Sequence, residues 1–313
     1  MPPPLALLFP GQGSQAVGMG KALCERVPAA RAAFETASEV LGFDLMRLCF
    51  DGPEEELRRT AVTQPAILTH SVAMYRLAAP RGLNVAVAAG HSLGEYSALV
   101  TAGALDFADA VRLVHLRGRF MQEAVPEGEG AMAAVLGLDP ERVEQVCRDT
   151  AARHGVVETA NYNSREQVVL AGATAAVEAA AALAKEWGAK RVVMLPVSAP
   201  FHCSLMRPAM ERLVPELDAV EFRDPSWPVV VNVSGRPLTA AAEVRQALKE
   251  QVCAAVRWDA SLRRILADGV KAFLELGPGS VLTQLARRLD RALRCQAAGD
   301  PEGLERALAA LQG

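Results

Sequence analysis

Four short, continuous apolar segments constrain the fold of this chain more than any other feature. They are "LALLF" (5–9), "NVAVAA" (84–89), "PVVVNV" (228–233) and "VKAFLEL" (270–276), and helical stretches separate them. An apolar run without polar alternation is typical of a strand that is buried on both faces. We therefore predict an α/β fold in which helices cover both sides of a parallel sheet.

The segment from about 127 to 195 has a different order of elements. A strand pattern, "AMAAVLGL", precedes a helix that begins with proline, "PERVEQVCRDTAAR". Two strand patterns follow, "VVETANYN" and "QVVLAG", and then the helix "TAAVEAAAALAKEWG" and the strand "KRVVMLPV". The order βαββαβ predicts a ferredoxin-like unit. We predict a large α/β domain of residues 1–126 and 197–313, with a small ferredoxin-like domain of residues 127–196 inserted into it.

Length, charge and cysteine content exclude several other classes of protein. The 313 residues suit about two domains, and a formal net charge of −3 gives no reason to expect binding to nucleic acid or to a membrane. No apolar run reaches the roughly 18 residues of a membrane span. The six cysteines form no CxxC pair and no metal-ligand spacing, so we interpret them as reduced thiols of a cytoplasmic protein. The start "MPPPLALLFP" has no basic region, so we expect no signal peptide.

The stretch "GHSLG" (90–94) matches the pattern GxSxG and lies between a predicted strand and the helical stretch "EYSALVTAG". In a sharp strand-to-helix turn the serine hydroxyl stands clear of the sheet, and the neighbouring backbone leaves room only for glycine on either side. Ser92 is therefore the candidate nucleophile. The backbone N–H of Leu93, at the helix N-terminus, is a candidate donor to an oxyanion. The alternative is an ordinary tight turn with a solvent-facing serine.

A serine nucleophile needs a base that takes its proton. His91 is covalently too close to Ser92 for that task. Three of the other histidines have positions typical of packed or surface side chains: His70, His115 and His154. His202 lies in the loop "LPVSAPFHCSLM", where the chain returns to the large domain, and a histidine that follows its serine fits hydrolase-like chain order. His202 is therefore the candidate base, and no acid stands out near it in the sequence.

Several segments together resemble the malonyl-CoA:acyl carrier protein transacylases. They occur in the family's order and extend over nearly the whole chain: "LLFPGQGSQAVGMG", "TQPAI", "AGHSLGEYSALVTAGAL", "RGRFMQEA", "VSAPFHCSLM", "VRW" and "ELGPGSVL". The set is specific, whereas "PGQGSQ" or GxSxG alone is not. The resemblance implies a hydrolase-like α/β domain with a ferredoxin-like insertion, in agreement with the fold predicted above.

The resemblance implies a ping-pong transfer that supplies fatty acid or polyketide synthesis. Ser92 would attack malonyl-CoA and hold malonate as an ester, and the phosphopantetheine thiol of an acyl carrier protein would then take it. Malonyl-CoA and the carrier protein are the expected partners, and no cofactor of the enzyme's own is expected. We also expect a monomer in the cytoplasm.

The resemblance also assigns roles to individual residues. His202 resembles the base of a Ser–His dyad, and a main-chain carbonyl, here that of Gln251, orients its ring in place of an acid. The N–H of Gln12 would join that of Leu93 in the oxyanion hole. Arg117 resembles the arginine that binds the free carboxylate of malonate. Four further residues are expected near the pocket: Met121, Phe201, Asn161 and His91.

Some of these segments have plainer interpretations. "GQGSQA" (11–16) fits a weak dinucleotide-binding pattern, although Pro10 interrupts the entry to a helix. Arg112 and Arg119 share the segment of Arg117, and most arginines there are expected to be solvated. Asn161 suits a structural amide equally well. Cys203 is a conceivable thiol nucleophile, but it has no helix N-terminus of its own, which favours a packed thiol.

Lys190 and Arg191, at the start of the last strand of the small domain, suit either contact with an acidic carrier protein or a solvated charged pair.

Three functional hypotheses remain at this point. The first is malonyl transfer to a carrier protein, the second a serine esterase or thioesterase, and the third a binding module without catalysis. Ser92 and His202 would serve a hydrolase equally well. A buried arginine that binds the carboxylate of malonate favours transfer, because it orients the acyl chain and leaves less room for water.

Overall fold

The computed structural model describes residues 3–197 and 199–312. The strands, in chain order, are β1 (Leu5–Phe9), β2 (Val85–Gly90), β3 (Gly130–Leu136), β4 (Val157–Ser164), β5 (Gln167–Ala173), β6 (Arg191–Met194), β7 (Val229–Val230), β8 (Pro237–Leu238), β9 (Ala272–Leu276) and β10 (Arg294–Ala298). The helices of the first half are α1 (Lys21–Arg26), α2 (Pro28–Leu41), α3 (Leu45–Asp51), α4 (Glu54–Arg58), α5 (Thr60–Ala78), α6 (Gly94–Thr101), α7 (Phe107–Glu123) and α8 (Pro140–His154). Those of the second half are α9 (Thr174–Glu186), α10 (Arg207–Asp218), α11 (Ala241–Gln251), α12 (Trp258–Ala267), α13 (Val281–Leu289) and α14 (Pro301–Gln312).

The larger sheet has the strand order β10-β9-β1-β2-β7-β8. Its neighbours are parallel from β10 to β7, and only β8 pairs antiparallel, as the second strand of a hairpin with β7. The carboxyl ends of β1 and β2 therefore meet at one edge, where the loop after Phe9 and the turn after Gly90 lie side by side. Ligands of open α/β sheets bind at this edge.

Both faces of the larger sheet are buried, as the apolar runs predict. Alternate residues of β1 enter two separate cores: Leu7 packs with α2, α5 and α7, whereas Leu8 packs with α12 and α13 on the opposite face. Few aromatic side chains are available, and small residues such as Ala30 and Ala33 on α2 let helices approach closely. The predicted α/β class with a parallel sheet is confirmed.

A second sheet of four antiparallel strands, in the order β4-β5-β3-β6, carries α8 and α9 on one face. This is the βαββαβ order predicted from the sequence, and the predicted ferredoxin-like insertion is confirmed. The elements extend from Gly130 to Met194. The exact domain limits, 1–126 with 197–313 and 127–196, remain a prediction.

The strand β4 also contacts the segment between α11 and α12 of the large domain through backbone hydrogen bonds. Val256, in the large domain, donates its N–H to the carbonyl of Ala160 over 2.8 Å and accepts from the N–H of Tyr162 over 2.9 Å. Close by, the carboxylate of Glu158 on β4 accepts the backbone N–H and the hydroxyl of Ser204, two residues after His202. We call this set of contacts the β4 seam.

Three features of the larger sheet differ from the sequence prediction, and the first is the two-residue strand β8, which no apolar run indicates. "PVVVNV" is a strand over Val229–Val230 only, because the chain turns at Val231 and forms a tight loop through Gly235. The edge strand β10 was not predicted, since "RCQAA" mixes polar and apolar residues and only one of its sides is covered by another strand. Among the described residues, no helix is long and apolar enough to cross a membrane.

Candidate active site

The turn at Ser92 has the tight geometry that its two flanking glycines predict. A Cβ atom placed on Gly90 would lie 1.9 Å from the carbonyl carbon of Gly94, and one placed on Gly94 would lie 2.0 Å from the carbonyl oxygen of Phe9. Ser92 itself has φ 52°, in the left-handed region that costs a non-glycine residue free energy. The backbone at Phe9, at the end of β1, thus packs directly against the backbone of the turn between β2 and α6. Ser92 lies at the tip of that turn.

Asn232 supports this turn from the end of β7. Its Oδ1 accepts the N–H of Ser92 over 2.6 Å, and its Nδ2 donates to the carbonyl of Gly90 over 2.7 Å. Its own N–H donates to the buried carboxyl of Glu95 over 2.7 Å. Burial raises the pKa of Glu95 to about 7, more than its hydrogen bonds lower it. The Asn232 amide therefore pairs the carbonyl of Gly90 and the N–H of Ser92, the backbone groups on either side of His91. The strained turn leaves these two groups without partners in a neighbouring strand.

His202 reaches Ser92 from the loop that follows the small domain. Its Nε2 lies 2.6 Å from the Oγ of Ser92, and its Nδ1 lies 3.0 Å from the backbone oxygen of Gln251. A carbonyl only accepts, so Nδ1 carries the proton and Nε2 is free to take the proton of the serine. The pKa of His202 is lowered to about 3, first by burial and then by the positive charge of Arg117. The ring is therefore neutral near pH 7.

Arg117 lies on α7 and is buried next to the serine. Its Nη2 donates to Ser92 Oγ over 3.1 Å and to Gln251 Oε1 over 3.0 Å, and its Nη1 donates to Gln64 Oε1 over 2.8 Å. Arg117 forms no ion pair with a carboxylate of the described residues. Its buried Nε–H has no hydrogen-bond partner among these residues. All three hydrogen-bond acceptors of Arg117 are neutral, and the carboxyl of Glu95 acts on its charge only through space, so the guanidinium is a candidate receptor for an anion.

Leu93 and Gln12 lie on the two loops that meet at the sheet edge. Leu93 directly precedes α6, and neither its N–H nor that of Gln12 is hydrogen-bonded to another described residue. The Gln12 side chain donates to Thr60 Oγ1 over 3.4 Å. Gly11 fits closely against His91, because a Cβ there would lie 2.5 Å from the carbonyl oxygen of His91. Gly11 of "GQGSQA" thus serves packing against the serine turn, whereas Gly13 has φ 99° and no neighbour at its Cβ position, as in a turn. The packing role of Gly11 weakens the dinucleotide-binding alternative.

A cleft of about 330 Å³ opens beside this turn, between the two sheets. The polar residues that line it include Gln12, His91, Asn161, Asn163, Gln167 and Arg288. His91 Nε2 lies 2.8 Å from Asn163 Oδ1, and its ring packs on Trp258. Asn161 lies on β4 and bridges to Val256, so its position suits both a cleft amide and a structural residue. The amide-rich lining suits a polar, flexible chain that carries many hydrogen-bonding groups.

The other predicted pocket residues are buried nearby. Met121 is 1% exposed, and its sulfur lies 3.9 Å from Nε2 of Gln64, the residue that also holds Arg117. Phe201 is buried directly before His202. Neither lines the cleft itself, so their role as pocket walls stays a prediction.

The structure does not bring the alternative candidates to the serine. Arg112 pairs with Glu216, and Arg119 lies 3.9 Å from Glu123, so both serve exposed or half-exposed ion pairs. Cys203 bonds the carbonyl of Pro200, and burial raises the pKa of its thiol to about 12, which disfavours the thiolate. The remaining histidines lie elsewhere: His70 is buried within α5, His115 packs against Ala61 and Phe43, and His154 is exposed at the end of α8. Lys190, directly before β6, and Arg191, its first residue, are exposed.

Three residues of the site were not assigned from the sequence: Gln64, Glu95 and Asn232. Gln64 lies in "TQPAI", and Glu95 in "GHSLGEYS", so both belong to segments that carry the family resemblance. Asn232 lies in "PVVVNV", whose apolar pattern predicts a buried strand. A polar residue at the carboxyl end of a parallel strand is the signal that points to it.

Comparison with known proteins identifies close relatives over the whole chain. The acyl transferase domain family matches residues 6–300. A malonyl CoA-acyl carrier protein transacylase of Bacillus subtilis is 48% identical over 98% of this chain and 97% of its own. The solved transacylase of Coxiella burnetii superposes with a TM-score of 0.97 at 42% identity, covering 100% of this chain and 99% of its own. A malonyl-transacylase solved in complex with its type II PKS acyl-carrier protein superposes at 0.95, with 46% identity and 98% and 99% coverage.

Proposed function

This chain belongs to the acyl transferase family, among the malonyl CoA-acyl carrier protein transacylases, and from that premise we propose how it transfers a malonyl group from malonyl-CoA to an acyl carrier protein. The observation that carries the proposal is the buried, unpaired charge of Arg117 beside the hydrogen-bonded pair of Ser92 and His202. The pair supplies acyl transfer, and the charge selects an acyl group that ends in a carboxylate.

In the first half-reaction, Ser92 Oγ attacks the thioester carbonyl while Nε2 of His202 takes its proton. The carbonyl oxygen becomes negative, and the N–H groups of Leu93 and Gln12 stabilise it. The C–S bond then breaks, His202 returns the proton to the sulfur, and CoA leaves as a thiol. Malonate remains as an ester on Ser92.

In the second half-reaction, the phosphopantetheine thiol of the carrier protein gives its proton to His202 and attacks the ester. The same two N–H groups stabilise the negative oxygen, the C–O bond breaks, and Ser92 regains its proton. Both half-reactions use side chains and backbone of this chain, so we propose no cofactor of the enzyme's own. The product supplies fatty acid or polyketide synthesis.

The cleft between the sheets is the proposed path of the pantetheine arm, because its amide lining matches the amide groups of that arm. Lys190 and Arg191 are exposed and form no ion pair with a described residue, which suits either contact with an acidic carrier protein or solvation. The six free cysteines support a location in the reducing cytoplasm. We further expect the chain to act as a monomer.

Intact mass spectrometry tests the reaction. After mixing with malonyl-CoA, the protein should gain the mass of one malonyl group, and added carrier protein should remove it. Rapid release of free malonate without carrier protein would instead favour the thioesterase hypothesis. No mass gain at all would favour the binding module.

Replacing Arg117 should reverse the preference between acyl donors. Arg117→Ala removes the partner of the malonate carboxylate in a buried site, at a cost of about 2–5 kcal/mol, so malonyl transfer should fall roughly 30- to 5000-fold. Acetyl-CoA carries no second carboxylate, so its rate should stay equal or rise. The measurement is the pair of acylation rates for both donors, with Arg119→Ala as the matched exposed control on the same helix. Equal losses for malonyl and acetyl would remove carboxylate recognition from Arg117.

The acid side of the pH profile should lie far below the usual range of histidine. The lowered pKa of His202, about 3, keeps the ring neutral as the pH falls from 7 to 5. The single-turnover rate of Ser92 acylation should therefore be nearly constant over this range. A base with an ordinary pKa of about 6.5 would instead lose roughly 30-fold of its neutral form by pH 5. Glu95, whose buried carboxyl has a pKa of about 7, titrates in the same range, so the profile is measured in Glu95→Gln as well. A limb centred near pH 6.5 that persists in folded Glu95→Gln would contradict this interpretation of the buried ring.

A further inference from the structure

The side chain of Gln251 contacts the two groups that the proposed reaction needs most, apart from the dyad. Its Nε2 donates to the carbonyl of Ser92 over 3.0 Å, and its Oε1 accepts from Arg117 Nη2 over 3.0 Å. The side chain is fully buried at the end of α11. These bonds are separate from the one that its backbone oxygen makes with His202. We propose that the Gln251 side-chain amide is a positioning and specificity-determining group, which orients Arg117 without neutralising its charge and fixes the peptide of the oxyanion hole.

The contact with Ser92 acts on the oxyanion donor. The carbonyl of Ser92 and the N–H of Leu93 belong to one planar trans peptide and point in opposite directions. A donor on that carbonyl therefore fixes the direction of the N–H, and it polarises the amide so that the N–H donates more strongly. Because every acyl donor develops an oxyanion, this contact should accelerate malonyl and acetyl transfer alike.

The contact with Arg117 acts on the choice of acyl group. Two glutamines, Gln64 and Gln251, hold the guanidinium from two sides through neutral oxygens. A carboxylate in either position would orient the arginine as well, but it would also pair with its charge and compete with the substrate. Glutamine oxygens orient the guanidinium and leave its charge for malonate. This step rests on the proposed function, since it assumes a substrate that carries a carboxylate.

Three variants separate the two effects. Gln64→Glu places a carboxylate on Arg117 without touching the Ser92 peptide. Gln251→Met removes the hydrogen bonds to Ser92 and Arg117, together with the contact of the amide with the Glu95 carboxyl, and adds no charge, while its backbone oxygen still holds His202. Gln251→Glu removes the donor to Ser92 and adds the charge. Gln246→Glu, the same exchange at an exposed site of α11, is the matched control.

The experiment measures single-turnover acylation with malonyl-CoA and acetyl-CoA for each protein. We expect Gln64→Glu to lower the ratio of the malonyl to the acetyl rate by about 10- to 100-fold with little change for acetyl, because a hydrogen bond between charged groups competes with the substrate. Gln251→Met should slow acetyl transfer by about 2- to 10-fold. Gln251→Glu should show both effects, and Gln246→Glu neither.

An unchanged malonyl-to-acetyl ratio in Gln64→Glu and Gln251→Glu would overturn the charge-sparing role. An unchanged acetyl rate in folded Gln251→Met would overturn the role in the oxyanion hole. If Gln251→Glu does not fold, Gln64→Glu still tests the first role alone. A wild-type protein that forms no malonyl ester would instead refute the proposed function, and so the two failures are distinguishable.

Discussion

Ser92→Ala should yield a folded protein that gains no malonyl mass from malonyl-CoA and transfers nothing to a carrier protein. The substitution removes the attacking oxygen but keeps the backbone, whose left-handed conformation depends on Gly90, Gly94 and the bonds of Asn232. Loss of a nucleophile typically lowers turnover by at least about 10⁴-fold. Intact mass and thermal unfolding of the same sample measure both parts of the expectation.

Cys203→Ala is the control for this prediction. It deletes the thiol beside His202, whose raised pKa disfavours the reactive thiolate, so the malonyl adduct should form at nearly the wild-type rate. If Ser92→Ala still carries a malonyl group, the nucleophile is a residue other than Ser92. The same conclusion follows if folded Cys203→Ala carries none.

His202→Ala should slow acylation by about 10²- to 10⁴-fold, the usual loss when general base catalysis is removed. The ring lies 2.6 Å from the serine oxygen, and a backbone carbonyl, not an acid, holds its other nitrogen. The rate of malonyl-serine formation, followed by rapid quench and mass spectrometry, gives the loss directly.

The companion expectation is that no carboxylate variant matches this loss. Two carboxyl groups bond residues that adjoin the dyad: Glu95, which accepts from Asn232, and Glu158, which accepts from Ser204. Glu95→Gln and Glu158→Gln keep an oxygen acceptor in place and should retain most of the acylation rate. A folded carboxylate variant as slow as His202→Ala would mean that the site operates as a triad.

The nucleophile turn was predictable from the sequence because its constraints are local. Gly90 and Gly94 are close neighbours of Ser92 in the chain, and each would collide with backbone if it carried a side chain. The βαββαβ order was predictable for a similar reason, since each strand and helix has its own periodicity. A local sequence pattern predicts its structure well when steric clashes between neighbouring residues exclude the other backbone conformations.

The supporting shell of the site was not predictable from local pattern. Gln251 and Asn232 meet Ser92 across 159 and 140 residues of chain, and glutamine or asparagine at such positions looks like any surface amide in sequence. Asn232 was hidden further by the apolar run that surrounds it. The role of Asn232 becomes evident only from the sheet topology, which places the ends of β2 and β7 side by side.

The β4 seam has a consequence for how substrates enter and leave. A small domain that acted as a hinged lid would have to break the hydrogen bonds of Val256 to Ala160 and Tyr162, together with those of Ser204 to Glu158, in every cycle. The bonds of Ser204 to Glu158 also hold the loop of His202, so an opening of that kind would disturb the dyad. We therefore expect malonyl-CoA and the carrier arm to enter without a hinged opening of the small domain, the kind of motion that takes microseconds to milliseconds. A variant that cross-links β4 to Val256 should then keep the wild-type rate of acylation, whereas a hinged lid would lose it.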